Sequence, residues 1–204
     1  MSAPPTLLIV RHGQTLWNVE RRVLGQTDLS LDEAGILQAA GLPGAVGPVD
    51  AIWSSPLGRA RQTAAPLASH LGLPIQIDRG LTEMDQGELE GLYDQELRER
   101  FGPLLTLWNA DPHAVRLPGG ETMGEVQSRA LSAFQRIAET GAGQRIVVVT
   151  HQLVLASVVC ALRGEPLTAW RSHTHRNTAW SEVVWTSPPT LVHEKVSEHL
   201  PKLP

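Results

Sequence analysis

The sequence predicts an α/β fold, a three-layer α/β/α sandwich around a mostly parallel central sheet, and three observations carry that expectation. Residues 6–10 and 146–150 form short, uniformly apolar runs of the kind found in strands buried on both faces. Longer segments of helical periodicity alternate with these runs, which is the order that parallel strands joined by crossover helices require. Capping residues at helix starts and Gly or Pro at helix ends punctuate the alternation.

The first strand, residues 6–10, runs into the polar Arg11-His12-Gly13 and then a helix over residues 15–21. Ser30-x-x-Glu33 reads as a capping box opening a helix to Leu42, stopped by Pro43-Gly44. Ala51–Ser54 is the second strand. Pro56 opens the next helix, with Leu57, Ala60, Ala64, Leu67, Ala68 and Leu71 at helical spacing across Pro66, and Gly72 ends it. Ile75–Ile77 is the third strand. From Thr82 to Asp111 the pattern loosens into short acidic helical pieces, residues 94–100 the clearest, with Pro103 as an interruption. Thr122-x-x-Glu125 caps a long helix to Thr140, residues 146–150 are a buried strand, and residues 152–162 are a nearly all-apolar helix. Two final strands, residues 179–186 and 190–196, flank Ser187-Pro188-Pro189 as a hairpin, and the tail after His199 is short and bounded by Pro.

The chain of 204 residues is long enough for one domain with a substantial core, so residues 1–204 are read as one unit with a lid-like insertion at about 82–117. Hydrophobic residues make up 42% and charged residues 19%, the proportions of an ordinary globular chain. A formal charge of −4 provides no general field for nucleic acid or anionic lipid, so an anion site has to come from local arginines. The single Cys160, within an apolar run, reads as a buried small hydrophobe and fits a reducing cytoplasm. No stretch approaches the ~18 apolar residues of a membrane span, and residues 1–6 carry no export signal, so a cytoplasmic location is expected.

Ligands of open α/β sheets bind beyond the carboxyl ends of the strands. Three strands deliver suggestive residues there: Arg11 and His12 after the first, Ser54, Ser55 and Arg59 after the second, His151 after residues 146–150. Two imidazoles and two guanidiniums at one edge repel one another unless an anion lies between them, and phosphate suits the guanidinium fork. Backbone NH groups at the helix start, Gly13 to Thr15, are expected to add to such a pocket. No Walker A run or dinucleotide fingerprint follows the first strand. The pair His173-x-His175 lacks a Cys or carboxylate companion in sequence and reads as incidental, so neither metal nor cofactor is expected.

Arg11-His12-Gly13-Gln14-Thr15 with Asn18 resembles the signature of the histidine phosphatase superfamily, also called phosphoglycerate mutase-like. Four further blocks follow in order: residues 54–63, Leu81-Thr82-Glu83 with Gly87 and Glu90-Gly91, Pro118-Gly119-Gly120-Glu121, and His151. Together they span about residues 6–177. The resemblance implies a reaction through a phosphohistidine in which His12 is the nucleophile, Arg11, Arg59 and His151 form the phosphate cage, Asn18 assists, and Glu83 donates the proton. Asp85 is the substitute acid. Glu83 must then hold a proton near neutrality, raised by partial burial and opposed by the arginines.

Departures from the family pattern are Gln152 where Gly usually follows the last histidine, and Thr122 in place of Ser after Glu121. Gln152 is placed with the substrate-binding residues Asn18, Thr15 and Gly13, and puts close backbone approach to phosphate there in doubt. Mutases of the family usually carry Arg directly after the catalytic Glu, where Met84 stands here, and the Lys-free stretch from Glu83 to Pro118 looks shorter than theirs. The resemblance therefore favours hydrolysis of a small phosphomonoester by water. A cofactor-primed phosphoglycerate mutase, with Arg98, Arg100 and Arg116 as substitute cations, is the first alternative, and an inactive phosphate-binding protein the second. Trp108, Tyr93 and Arg116 are candidates for the leaving-group side. Edge strands and an outward Trp180 or Trp185 offer a surface for a homodimer.

Overall fold

In the computed structural model, which describes residues 3–141 and 144–200, six strands form one sheet in the order β3-β2-β4-β1-β5-β6. The strands are β1 (Thr6–Arg11), β2 (Ala51–Ser54), β3 (Ile75–Ile77), β4 (Arg145–Thr150), β5 (Trp180–Val184) and β6 (Thr190–Val196). β1 to β4 pair in parallel, β5 pairs antiparallel with β1 and β6 antiparallel with β5, so β5 alone of the six runs against the others and the sheet is mostly parallel, as expected. From Pro201 on, the expected Pro-bounded tail lies outside the described residues.

Successive residues of a central strand point to opposite faces, and the cores record it. Leu7, Ile9, Ile146 and Val148 enter one core with helices α5 (Met123–Thr140) and α6 (Gln152–Arg163). Leu8, Val10, Val147 and Val149 enter the other with α2 (Glu33–Val46) and α3 (Gly58–Leu71). Two cores on two faces make the three layers. The short α1 (Leu16–Glu20) and the long α4 (Asp94–Ala110) lie outside this frame, over the carboxyl ends of the parallel strands.

Several expected boundaries shift. The cap of α2 is Asp32, whose carboxylate accepts from Gly35 N at 2.7 Å, while Ser30 meets Gln62 instead. This helix continues through Pro43-Gly44 because Leu42 and Val46 are both buried and Arg145 takes the Val46 carbonyl. A ladder bond lost to Pro is offset when the following turn buries apolar surface. The same reason carries α4 unbroken through Pro103, with Leu97, Phe101, Leu104, Leu105 and Trp108 packed on the core. Helix α3 begins at Gly58, whose N–H is received by Asp28 from a distant loop at 2.7 Å. Thr122 caps α5 as expected, and a 3-10 segment over Leu167–His173, which was not anticipated, follows α6.

The aromatic surface expected to favour a dimer is absent at its named residues. Trp180 is buried with its ring stacked on His199, and Trp185 is half-buried, packed on Phe134 and donating to Gln135 at 2.8 Å. Cys160 is buried and free, as expected. Among the described residues no single helix is long and apolar enough to cross a membrane.

Candidate active site

Register places the site. Arg11 lies beside Thr150, and Ser54 beside Val149, so the residues that follow each strand meet at one edge. His12 N donates to Thr150 O and Ser55 N to Val149 O, which extends the ladder by one step and sets the His12 and His151 rings with centroids 5.2 Å apart. All the residues expected at strand ends are brought together.

His12 is 2% exposed, and its Nδ1 faces the carbonyl of Gly13 at 2.7 Å. A carbonyl only accepts, so Nδ1 carries the proton of the neutral ring and the Nε2 lone pair is free for chemistry. Burial, then Arg59 and Arg11, hold the imidazolium well below its ordinary range. Gly13 is required by space: a Cβ there would stand 2.8 Å from the carbonyl oxygen of Gly35.

Arg11 donates to the His175 carbonyl at 2.5 Å and Arg59 to the carbonyls of Thr27 and Gly25 at 2.8 and 2.6 Å. The Nε groups of both arginines have no protein partner although buried. Desolvation lowers both, Arg11 to about 10, with Glu83 opposing the shift, so Arg11 stays charged at neutral pH. His151 is fully buried and meets Ser55 Oγ through Nε2 at 2.7 Å. Leu57 N donates to that same oxygen, and the other ring nitrogen of His151, Nδ1, is buried without a protein partner. Asn18 Oδ1 accepts from Thr15 N and Asn177 Nδ2, which orients its own amide NH2 toward the cleft.

Glu83 is 3% exposed, with Oε1 accepting from Met84 N at 2.9 Å and Oε2 from Leu153 N at 3.2 Å. Burial raises its pKa, and the two N–H groups, Arg59 and Arg129 oppose the rise. The direction matches the expectation, with burial nearly complete rather than partial. Asp85 does not line the cleft, and its Oδ1 accepts from Gly87 N at 2.9 Å, so Glu83 is the carboxyl that faces the cleft. Gly87, at φ 52°, belongs to a turn where a Cβ would meet the Pro118 oxygen at 2.1 Å.

The expected anion-binding helix start is corrected. Gly13 N donates to Thr63, Gln14 N to Gln38 and Thr15 N to Asn18, and neither Gly13 nor Thr15 lines the cleft. Gln152 does line it, with Oε1 accepting from His175 N at 3.0 Å and Nε2 unpartnered. Its backbone opens α6.

The cleft is about 320 Å³, and its lining combines the polar Arg11, His12, Glu83, Asn18 and Gln152 with the apolar Leu97, Leu105, Trp108 and Trp170. Tyr93 and Arg116 do not line it: Arg116 pairs with Glu125, and Tyr93 receives Arg22 over its ring. Arg98 is tied to Asp94, and neither it nor Arg100 reaches the cleft, leaving Arg22 and Arg171 as the cations of the outer wall. His173 and His175 are engaged separately, His173 between Glu165 and Glu194 at 2.8 Å each and His175 with Ser181 at 2.8 Å.

Residues of long reach escaped sequence reasoning. Glu90 accepts from Gln26 N, Gln86 N, Thr27 N and the Thr27 hydroxyl, shaping the loop whose carbonyls hold Arg59. Arg129 bridges Glu121 to the chain around Glu83. The usable signal was Glu90 within the third block, and Arg129 as a charge beside the apolar stripe of α5.

An α/β/α sandwich with a neutral imidazole under the charge of two arginines at the strand ends defines a phosphate-handling class of protein. The chain belongs to the histidine phosphatase superfamily (branch 1), which it matches over residues 7–194. It is 36% identical over 187 residues to a protein of Cronobacter sakazakii named probable phosphoglycerate mutase GpmB, covering 90% of this chain and 86% of that one. Phosphoserine phosphatase 1 of Hydrogenobacter thermophilus is 30% identical, covering 87% and 85%. The solved structure of Bacillus stearothermophilus YhfR superposes with a TM-score of 0.87 at 31% identity, covering 97% of this chain and 100% of that one.

Proposed function

We propose that the chain is a phosphatase that hydrolyses a small phosphomonoester through a phosphohistidine at His12, without a metal. The observation that carries this reading is the His12 ring, held neutral by burial and by the charges of Arg59 and Arg11, with its Nδ1–H given to Gly13 so that Nε2 keeps its lone pair. In the first step Nε2 attacks phosphorus, the N–P bond forms and the bond to the ester oxygen breaks, with Glu83 passing its proton to that oxygen. Arg11, Arg59, His151 Nδ1 and the Asn18 amide stabilise charge on the equatorial oxygens. In the second step the Glu83 carboxylate takes a proton from water as its oxygen attacks phosphorus, releasing inorganic phosphate and restoring His12.

Water is favoured as acceptor because the outer cleft is backed by Val23, Leu24, Leu89, Leu97, Leu105, Trp108 and Trp170. Met84, where a mutase Arg would stand, is fully buried. Arg22 is committed to the Gly91 carbonyl and to the Trp17 and Tyr93 faces, so among the described residues of the outer wall the exposed Arg171, itself over the Trp170 ring, remains to meet a second anionic group. The segment 82–117 supplies much of this wall and acts as a lid-like roof that selects the leaving group. The mutase reading rests on the similarity to GpmB proteins.

The purified chain, in excess chelator, is expected to release phosphate from p-nitrophenyl phosphate, and His12→Ala to lower kcat at least about 10³-fold. Quenching in alkaline detergent during turnover should trap an adduct on His12, because the P–N bond of a phosphohistidine is labile in acid and survives base. Full activity in H12A overturns the nucleophile. Fast exchange of 2- and 3-phosphoglycerate, dependent on a bisphosphorylated primer, makes the chain a mutase instead.

A further inference from the structure

We infer that Arg129 and Glu121 form a strut whose task is to position the Glu83 carboxyl for proton transfer, without touching the substrate. The inference rests on the reading of Glu83 as the acid. Four consecutive carbonyls lead up to and include Glu83, and every one is taken by a side chain from another element. Arg129 Nη1 donates to Gly80 O and Thr82 O at 3.0 and 2.6 Å, and Nη2 to Glu83 O at 3.0 Å. Thr150, at the end of β4, donates to Leu81 O at 2.7 Å. On the far side of Glu83, Asp85 N donates to Glu121 Oε2 at 2.8 Å.

Glu121 closes the device. Its two oxygens accept from Arg129 Nε and Nη2 at 2.8 and 2.9 Å, a planar fork that Lys cannot reproduce. One guanidinium thus ties α5 to the peptides on both sides of residue 83. Close packing reinforces it, since a Cβ on Gly80 would stand 2.7 Å from the Ala133 side chain. Neither Arg129 nor Glu121 lines the cleft, while the Glu83 carboxyl at the other end of the strut does.

The geometry assigns a specific kinetic signature. Proton donation matters for a poor leaving group and little for a good one, so a misplaced acid penalises phenyl phosphate and spares p-nitrophenyl phosphate, two esters of nearly equal shape. In R129K and E121Q, kcat/KM for phenyl phosphate is expected to fall about tenfold more than for p-nitrophenyl phosphate. E121Q keeps the size of the side chain but places an NH2 against a donor; thermal melting of both variants confirms that each folds. Equal losses on the two esters, or no loss on either, overturn the strut and leave at most a scaffold role. E83Q in the same assay separates the two readings. If E83Q widens the ratio and R129K and E121Q do not, the strut alone fails. If E83Q leaves the ratio unchanged, Glu83 is not the acid and the strut's role fails with it.

Discussion

Gln152 shows how one side chain can be at once a departure from a family pattern and part of the machinery. Where the family pattern usually has Gly, this chain has an amide that receives His175 N, and the His175 carbonyl in turn holds Arg11. Gln152→Ala leaves that N–H without its partner at a cost of about 1 kcal/mol in stability. It also loosens the backbone on which Arg11 is braced, so KM for p-nitrophenyl phosphate should rise about fivefold with kcat little changed, because phosphate is held in both ground and transition states. Steady-state kinetics decide it; a fall in kcat at constant KM would instead place the amide in the transition state. At this scale His12, Arg11, Arg59, His151 and Glu83 were legible because each follows a strand or sits in a motif. Their partners Asn177, His175 and Thr63 were not, since a hydrogen bond across 50 or 165 residues leaves no local pattern.

Elements read well wherever local chemistry alone decides them. The Thr122 box, the Gly72 stop and the alternating cores of β1 and β4 are of this kind. The misreadings at Pro43, Pro103 and Ser30 share one cause, tertiary contacts that override a local signal. Helix α3 is the sharpest case, because its cap is supplied by Asp28, thirty residues earlier. That helix carries both Arg59 and Thr63, whose hydroxyl joins the Arg59 carbonyl to Gly13 N. Asp28→Ala should therefore cost about 1 kcal/mol in a urea titration, and Asp28→Asn should recover most of it, because its amide oxygen can accept the same N–H. Loss in both variants would show that the charge of Asp28, rather than its cap, stabilises the helix start.

Over the whole molecule, gathering cations and imidazoles at one sheet edge has a cost that should appear as a dependence of stability on pH. His12 and His151 are held well below their ordinary range by burial, then by Arg59, and His175 is lowered to about 4 by burial. His199 is shifted the same way by burial. Below about pH 6.5 the unfolded chain protonates His12, His151 and His175 while the folded chain holds them neutral, and the partly exposed His199 leans the same way, so acid favours unfolding. Glu83 acts in the opposite sense: raised above 4.5, it binds a proton in the folded state before the unfolded one does. Each excess proton contributes about 1.4 kcal/mol per pH unit, and the histidines outnumber the single carboxyl. Stability should thus fall by about 3 kcal/mol per pH unit as pH drops from 6 toward 5. His175→Asn, which cannot titrate, should reduce that slope by about 1.4 kcal/mol per pH unit. Urea unfolding at pH 7, 6 and 5 measures it, and a midpoint that does not move over that range would mean that the buried rings are already protonated in the folded chain. Inorganic phosphate should raise the midpoint at each pH by binding only the folded state, and H175N, whose ring lies outside the cleft, should keep that response.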